Sequence, residues 1–106
     1  MDVDIDGETY TIAHDPDQSR FTVTHDGTVI GTADYVDTDA TEAGVPTVRT
    51  FTHTIVDPAY GGRGIAAKLV RFALESTTEA DLRFRTTCSY VMRFLEKNHE
   101  FDASLA

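Results

Sequence analysis

The sequence predicts an α+β domain: a mostly antiparallel sheet, a βαβ unit at its end and two main helices. The first half of the chain alternates apolar and polar residues, and turn residues separate the runs. After Arg63 the apolar residues recur instead at helical spacing. A short predicted strand, Leu82–Thr87, then separates this helix from a second one. Together these changes of period indicate strands first and a strand–helix–strand–helix arrangement afterwards.

Four strands are predicted before the first helix, and they span Glu8–His14, Arg20–His25, Thr28–Val36 and Thr47–Asp57. Asp26-Gly27 is typical of a hairpin turn, because glycine accepts the positive φ that a tight turn requires. Alternation puts Val29, Ala33 and Tyr35 on one face of the third strand. It also puts Phe51, His53 and Ile55 on one face of the fourth. The polar segments Asp15–Ser19 and Asp37–Pro46 are predicted to be a turn and a loop.

Two helices follow. From Arg63 to about Thr77 an apolar stripe is predicted to face the sheet; it comprises Ile65, Ala66, Leu69, Val70 and Ala73. The second helix is predicted from about Ser89 to Lys97, and Asn98 is a typical stop.

Composition limits the possible functions. The 106 residues are predicted to form one domain, residues 1–106, with a formal net charge of −9. The scattered acidic residues and the scarcity of lysine favour adaptation to a salty cytoplasm; the alternative is an acidic surface that attracts a cationic partner. No basic stripe suggests nucleic-acid binding. We expect a monomer or a weak dimer.

Cysteine use and hydropathy point to the same compartment. Cys88 is the only cysteine, which excludes an internal disulfide and suits a reducing cytoplasm. No apolar run approaches the roughly 20 residues of a membrane-spanning helix, and no signal-peptide pattern opens the sequence. We therefore expect a cytoplasmic protein without a membrane partner.

A glycine-rich segment, Gly61-Gly62-Arg63-Gly64-Ile65-Ala66, joins the fourth strand to the first helix. Such a junction presents unpaired backbone N–H groups at the positive end of the helix dipole, which is an anion site. Glycine lets a phosphate approach those amides, and Arg63 adds a formal charge. The alternative is a turn that merely starts a helix, but this composition favours phosphate binding.

Two common phosphate loops fit poorly. A Walker loop needs Gly-Lys followed by Ser or Thr, which this segment lacks. Residues 62–67 do match the Rossmann pattern G-x-G-x-x-A. However, antiparallel strands precede the loop, and too little chain follows to build a dinucleotide site.

The segment Gly61–Ala66 resembles the acetyl-CoA signature Q/R-x-x-G-x-G/A of the GNAT superfamily of N-acetyltransferases. Gly64 and Ala66 match its fourth and sixth positions, whereas Gly61 replaces the usual Gln or Arg. The chain is more similar to the small members of that superfamily. They share a His-Thr-x-Val-x-Pro segment, here residues 53–58, and a Cys-x-Tyr segment, here Cys88-Ser89-Tyr90.

The resemblance implies where acetyl-CoA would bind. In this superfamily the strand before the loop splays from its neighbour, and its free backbone groups pair with the pantetheine. The carried-over positions are Ile55, Val56 and Asp57 for the pantetheine and the amides of Gly62, Arg63, Gly64, Ile65 and Ala66 for the pyrophosphate. The thioester would lie between the strands, close to Cys88.

Acetyl transfer to an amine needs a base, donors for the carbonyl oxygen and an acid for the departing thiolate. His53 is the candidate base, with a packing role in the strand as the alternative. Cys88 is a candidate nucleophile or acid, because a helix N-terminus lowers a thiol pKa; a small buried hydrophobic residue is the alternative. Tyr90 is a second candidate acid or a core residue.

No metal is expected. Asp2-x-Asp4-x-Asp6-Gly7 resembles the start of a calcium loop, but its twelfth position is Ala13 rather than Glu. The four histidines also lack metal-ligand spacing.

The sequence therefore predicts an acetyl-CoA-dependent N-acetyltransferase whose amine acceptor is unknown. Nothing helical is predicted before the loop, so the acceptor side should be open and suit a protein or peptide amine. Two alternatives remain: a non-catalytic module that binds or senses acyl-CoA, and an acyl carrier that works through Cys88.

Overall fold

The computed structural model describes residues 1–38 and 47–105, so most of the predicted loop Asp37–Pro46 lies outside the described residues. Its strands are β1 (Asp2–Ile5), β2 (Glu8–Asp15), β3 (Arg20–His25), β4 (Thr28–Thr38), β5 (Val48–Val56) and β6 (Arg83–Thr86). The helices are α1 (Ile65–Glu79) and α2 (Ser89–Lys97), and short 3₁₀ turns cover Pro16–Gln18, Pro58–Tyr60 and His99–Ser104.

The six strands lie in the sheet in chain order. Neighbours are antiparallel from β1 to β5, whereas β5 and β6 are parallel and connected through α1. The α+β class with a mostly antiparallel sheet and a terminal βαβ unit is confirmed.

The first strand was not among the predicted elements. Aspartates at alternate positions conceal the alternation of Val3 and Ile5, which point to the other face. Asp6 and Gly7 have φ values of 52° and 80°, and they close a hairpin between β1 and β2. The Asp26-Gly27 hairpin, which was predicted, has nearly the same values, 50° and 79°. Asp6-Gly7 is therefore the same hairpin signal as Asp26-Gly27, and it could have predicted the hairpin between β1 and β2.

A bulge in β4 contradicts the prediction that Val29 shares a face with Ala33 and Tyr35. Val23 pairs with Gly31 but Thr24 pairs with Val29, so Ile30 is an extra residue in the ladder. An extra residue in one strand reverses, beyond that point, which side chains of the strand face the core. Ile30 is consequently buried, and Val29 is 48% exposed.

A second bulge, in β5, contradicts the common face predicted for Phe51, His53 and Ile55. Phe51 pairs with Tyr35 while His53 pairs with Asp34, which leaves Thr52 as the extra residue. Phe51 is buried in the core, but Ile55 is 54% exposed on the opposite face. Beyond the bulge it is therefore the even-numbered side chains that turn toward the helices.

Both helices pack on one face of the sheet. The predicted apolar stripe is confirmed in α1, whose buried residues include Ile65, Leu69, Val70 and Ala73. α1 begins at Ile65, two residues later than predicted, because Gly64 holds a left-handed conformation with φ 76°. α2 has the predicted bounds and contributes Val91 and Phe94 to the same core, which Phe101 closes.

The opposite face of the sheet carries no helix in the part of the chain that the structure describes. His53, Asp34 and Arg20 lie side by side there on three adjacent strands, and other strand residues on this face are largely threonines. No helix among the described residues is both long and apolar enough to cross a membrane.

One cation is buried on the helix-covered face. Arg49 is only 7% exposed, and its guanidinium donates to both carboxylate oxygens of Asp37, at 2.8 and 3.0 Å. It also lies 4.1 Å from the ring centroid of Tyr35. Because a buried charge needs such partners, this contact ties the start of β5 to the end of β4.

We predict that Gly31→Ala destabilises the fold by about 1–3 kcal/mol. A Cβ at Gly31 would lie 2.7 Å from Val23 Cγ1 and 3.1 Å from the carbonyl oxygen of Ile55. The free energy of unfolding in urea measures the loss. Thr32→Ala, on the other face, is the control and should cost less than about 1 kcal/mol; equal losses would contradict the crowding at Gly31.

Candidate functional site

The pairing between β5 and β6 ends partway along β5, which leaves a gap in the sheet. The parallel pairing ends at Phe51 and Thr86, and the N–H of Thr87 donates to the carbonyl oxygen of Phe51 at 3.0 Å. The chain then turns into α2, whereas β5 continues to Val56. Within the described residues this last part of β5 is paired only with β4. A wedge-shaped gap with one open strand edge results.

The hydrogen bonds to β4 decide which main-chain groups face this gap. The N–H of Asp57 donates to Ile30 at 2.7 Å, and in an antiparallel ladder every second residue pairs in this way. Ile55, opposite Thr32, therefore also points its N–H and C=O toward β4. Thr54 and Val56 present theirs to the gap.

This geometry revises the positions carried over from the resemblance. The main-chain groups of Ile55 and Asp57 are directed at β4, and the Asp57 carbonyl also accepts the N–H of Tyr60 at 2.9 Å. Val56 keeps the expected orientation. Thr54, which the sequence did not single out, has its C=O free at the gap, because its N–H is directed at the sulfur of Cys88. The bulge at Thr52 sets this register, and no pattern in the sequence predicted the bulge.

At the end of the gap the glycine-rich turn presents a run of free amides. Gly61 donates to the carbonyl oxygen of Pro58 at 3.1 Å. Among the described residues no acceptor is found for the amides of Gly62, Arg63 and Gly64. The next amides, from Ile65 to Ala67, open α1 and have no partner within the helix. The structure thus brings the predicted loop residues together in one turn with a run of unpaired amides.

The side chain of Arg63 is directed toward the sheet. Its guanidinium lies 3.3 Å from Oε2 of Glu8 and 5.7 Å from the ring centroid of Tyr60. Glu8 therefore offsets part of the charge that the sequence assigns to the anion site. The backbone amides are the main source of positive potential in the turn.

A groove of about 680 Å³ runs from this turn between α1 and α2. Its lining includes five of the nine Lys and Arg residues of the chain: Arg63, Lys68, Arg71, Arg93 and Lys97. Glu75 is the acidic residue among the lining side chains. In a chain of net charge −9, this concentration of cations makes the groove locally basic.

Cys88 lies at the fork between β5 and β6, immediately before α2, and is 8% exposed. Its Sγ is 3.6 Å from Oγ1 of Thr54, so it lies at the gap. Burial by itself raises the pKa of the thiol, but hydrogen bonds to the sulfur outweigh it and lower the pKa below its ordinary value. The backbone N–H groups of Val91, Tyr90 and Thr54 are donors, and the Thr54 hydroxyl also forms a hydrogen bond with the sulfur.

His53 lies on the other side of the sheet from Cys88. It follows the bulge and is exposed on the face without helices, opposite Asp34. Since neighbouring residues in a strand point to opposite faces, its side chain diverges from that of Thr54, the partner of Cys88. The structure places the two candidate residues on opposite faces of the sheet beside the gap.

Tyr90 lines the groove between the helices and is half-buried. Burial raises the pKa of its hydroxyl above the ordinary value. For metals, residues 1–38 and 47–105 hold no group of three or more His, Cys, Asp or Glu side chains that could bind an ion.

A sequence model described as GCN5-related N-acetyl-transferase matches residues 20–105. The chain belongs to the GCN5-related N-acetyltransferase family. Protein NATD1 of Bos taurus is 48% identical over 46 residues, which are 43% of this chain and 41% of that protein. The human NATD1 is 44% identical over a segment of the same size. The match thus spans about two fifths of the length of these relatives.

Solved structures of this family share the fold. A GCN5-like protein from Staphylococcus aureus superposes with a TM-score of 0.65 at 21% identity, over 91% of this chain and 87% of that chain. An acetyltransferase from Trypanosoma brucei gives 0.61 at 19% identity, over 77% and 62%. The aminoglycoside N-acetyltransferase AAC(6')-Iy, solved in complex with CoA, gives 0.51 at 23% identity, over 76% and 55%.

We predict that the Cys88 thiol reacts with iodoacetamide at a lower pH when the protein is folded than when it is unfolded in urea. Hydrogen bonds to the sulfur favour the thiolate, so the midpoint of the pH–rate profile should fall. Intact-protein mass spectrometry reports the product, because Cys88 is the only cysteine. Thr54→Val should raise the midpoint, and the control Thr54→Ser should not. Identical folded and unfolded midpoints would contradict the assigned contacts.

Proposed function

We propose that this protein is an acetyl-CoA-dependent N-acetyltransferase that transfers the acetyl group to an amine on a protein or peptide. One observation carries the proposal: the free amides of residues 62–67 adjoin a strand edge that is open only beyond Phe51. A diphosphate and an amide-containing arm need these two surfaces, in this order, and coenzyme A contains both groups. Membership of the acetyltransferase family supports the same ligand.

The chain offers a separate surface to each part of the cosubstrate. The amides of Gly62, Arg63 and Gly64 and the first turn of α1 would accept the diphosphate. The free N–H and C=O groups of Val56 and the C=O of Thr54 would pair with the pantetheine amides, as a strand would. The thioester would then lie at the fork, beside Cys88.

The basic groove between α1 and α2 suits the remaining end of coenzyme A. That end carries a nucleotide with an additional 3′-phosphate, and the groove begins at the turn where the diphosphate would lie. Lys68, Arg93 and Lys97 provide cations for this phosphate. The CoA complex of AAC(6')-Iy, which shares this fold, supports coenzyme A as the ligand.

The acceptor would approach from the face of the sheet without helices. There His53 can take a proton from the amine while the amine nitrogen attacks the carbonyl carbon of the thioester. The new C–N bond replaces the C–S bond, and the departing thiolate takes a proton from Cys88 or Tyr90. Base and acid thus act from opposite faces of the sheet, so neither blocks the other.

A second route is favoured by the lowered pKa of Cys88. Its thiolate can attack the thioester itself, so that acetyl-Cys88 forms and coenzyme A leaves as the thiolate. The amine then attacks acetyl-Cys88 while His53 takes the proton from its nitrogen, and the new C–N bond replaces the C–S bond as the Cys88 thiolate leaves. Both routes consume one acetyl-CoA and one amine, and they differ only in whether the protein is acetylated in between.

We predict that Gly64→Glu weakens coenzyme A binding by about 100-fold or more, because it removes charge-assisted contacts and adds a like charge. A Cβ at Gly64 meets nothing within 4 Å, so the side chain has room, but the φ of 76° adds backbone strain that the control must share. Isothermal titration calorimetry gives the affinity. Gly7→Glu, also at a positive-φ glycine with open space, is the control and should bind normally. Unchanged affinity of Gly64→Glu would refute the diphosphate position.

We further predict that acetyl-CoA loses its acetyl group faster when a pool of peptide amines is present. Free thiol release measures turnover, and His53→Gln should lower it about 100-fold or more if this residue is the base. Intact mass after incubation with acetyl-CoA alone reports acetyl-Cys88, with Cys88→Ala as the control. Binding without turnover across the pool would instead favour a protein that senses acyl-CoA.

A further inference from the structure

A cluster of five side chains connects the glycine-rich turn to the far strands of the sheet. We call Glu8, Tyr10, His25, Tyr60 and Arg63 the anchor cluster. Tyr60 immediately precedes the turn and Arg63 lies within it, whereas the other three belong to β2 and β3. The proposed chemistry uses none of these five side chains, although they form a dense polar and aromatic network beside the turn.

The first contact holds Tyr60. Its hydroxyl is 2.8 Å from Nδ1 of His25, and the two rings meet edge to face with centroids 5.4 Å apart. The other ring nitrogen of His25 faces two carboxylates, of Glu8 and Asp26, at 3.6 and 3.8 Å. A hydroxyl can donate or accept, so the Tyr60 hydroxyl forms its hydrogen bond with Nδ1 in either tautomer of His25.

The second contact holds Arg63. Oε2 of Glu8 accepts from the Arg63 guanidinium at 3.3 Å and from the hydroxyl of Tyr10 at 3.2 Å. The Tyr10 ring in turn stacks on His25, with centroids 4.7 Å apart and planes inclined by 28°. Glu8 and His25 are therefore fixed by the same buried ring, and the two contacts form one network.

These contacts fix Tyr60 and Arg63, which hold the glycine-rich turn, the segment with the greatest backbone freedom. Three of the four residues from Gly61 to Gly64 are glycines, and Gly62 and Gly64 hold φ values of 77° and 76°. Ordering such residues costs more entropy than ordering any other type. A turn that is ordered beforehand spares the ligand that cost, so it binds more tightly.

We propose that Tyr60 and His25 are positioning residues for coenzyme A: they hold the amides of the turn ready for the diphosphate without touching it. The inference rests on the proposed function and adds that affinity depends on strands β2 and β3. Tyr60→Phe, which removes one hydroxyl, should weaken coenzyme A binding about 3- to 10-fold. It should also increase the backbone mobility of Gly61, Gly62 and Gly64 in the free protein.

The same sheet supplies a matched control. His14 Nε2 and the Tyr35 hydroxyl are 2.5 Å apart, and His14 stacks on Phe21, so a second histidine–tyrosine pair exists. Tyr35 lies opposite Phe51, before the open part of β5, and does not contact the turn. Tyr35→Phe therefore loses an equivalent hydrogen bond and should leave coenzyme A affinity unchanged.

The experiment combines calorimetric titration of the whole protein with coenzyme A and ¹⁵N relaxation of the turn amides without ligand. His25→Phe, which keeps a ring on Tyr10, should weaken binding as Tyr60→Phe does. The double variant should be no weaker than either single one, because both remove the same bond. Thermal unfolding of Tyr60→Phe and Tyr35→Phe shows whether stability alone explains the losses.

Three results would overturn the inference. Wild-type binding with an unchanged affinity in Tyr60→Phe refutes the positioning role alone. An equal loss in Tyr35→Phe assigns the effect to general stability. If the wild type does not bind coenzyme A, the proposed function fails and the positioning role fails with it, whatever the relaxation data show.

Discussion

The site depends on where β5 loses its second neighbour. Through Phe51 both edges of the strand are hydrogen-bonded, whereas from His53 to Val56 β4 is its only partner among residues 1–38 and 47–105. An open strand edge is normally a liability that attracts other chains. Here the N-terminus of α2 and the thiol of Cys88 border it, and it leads directly to the free amides before α1. In the proposed function, the same parting provides both the edge for the arm of the cosubstrate and the route for an acceptor.

The bulge at Thr52 determines how this edge is used. It turns Thr54 toward Cys88 and leaves His53 on the uncovered face, so potential acid and base are separated by the sheet itself. Without the extra residue, His53 would continue on the face of Phe51 and be covered by the helices. One additional residue in the ladder thus decides on which face of the sheet the side chains of His53, Thr54 and Ile55 lie.

The fold also determines where the acidic and basic side chains lie relative to the groove. The chain has twice as many acidic as basic residues, yet five of its nine cations line one groove. They come from the turn, from α1 and from α2, so no basic run marks the groove in the sequence. Glu8 and His25 are similarly remote from the turn along the chain, but the hairpins β1–β2 and β3–β4 bring them to it.

The sequence by itself determined the class of fold, both helices, most of the strands, the glycine-rich turn and the family. These follow from local periodicity, turn chemistry and a contiguous motif, which do not require distant residues to meet. Only the tertiary structure decided that Ile55 and Asp57 face β4, that Val29 is exposed and that Arg49 is buried with Asp37. Bulges shift the register by one residue, and a buried ion pair needs a partner from another strand. Both depend on pairing between strands, which a period within one strand does not encode.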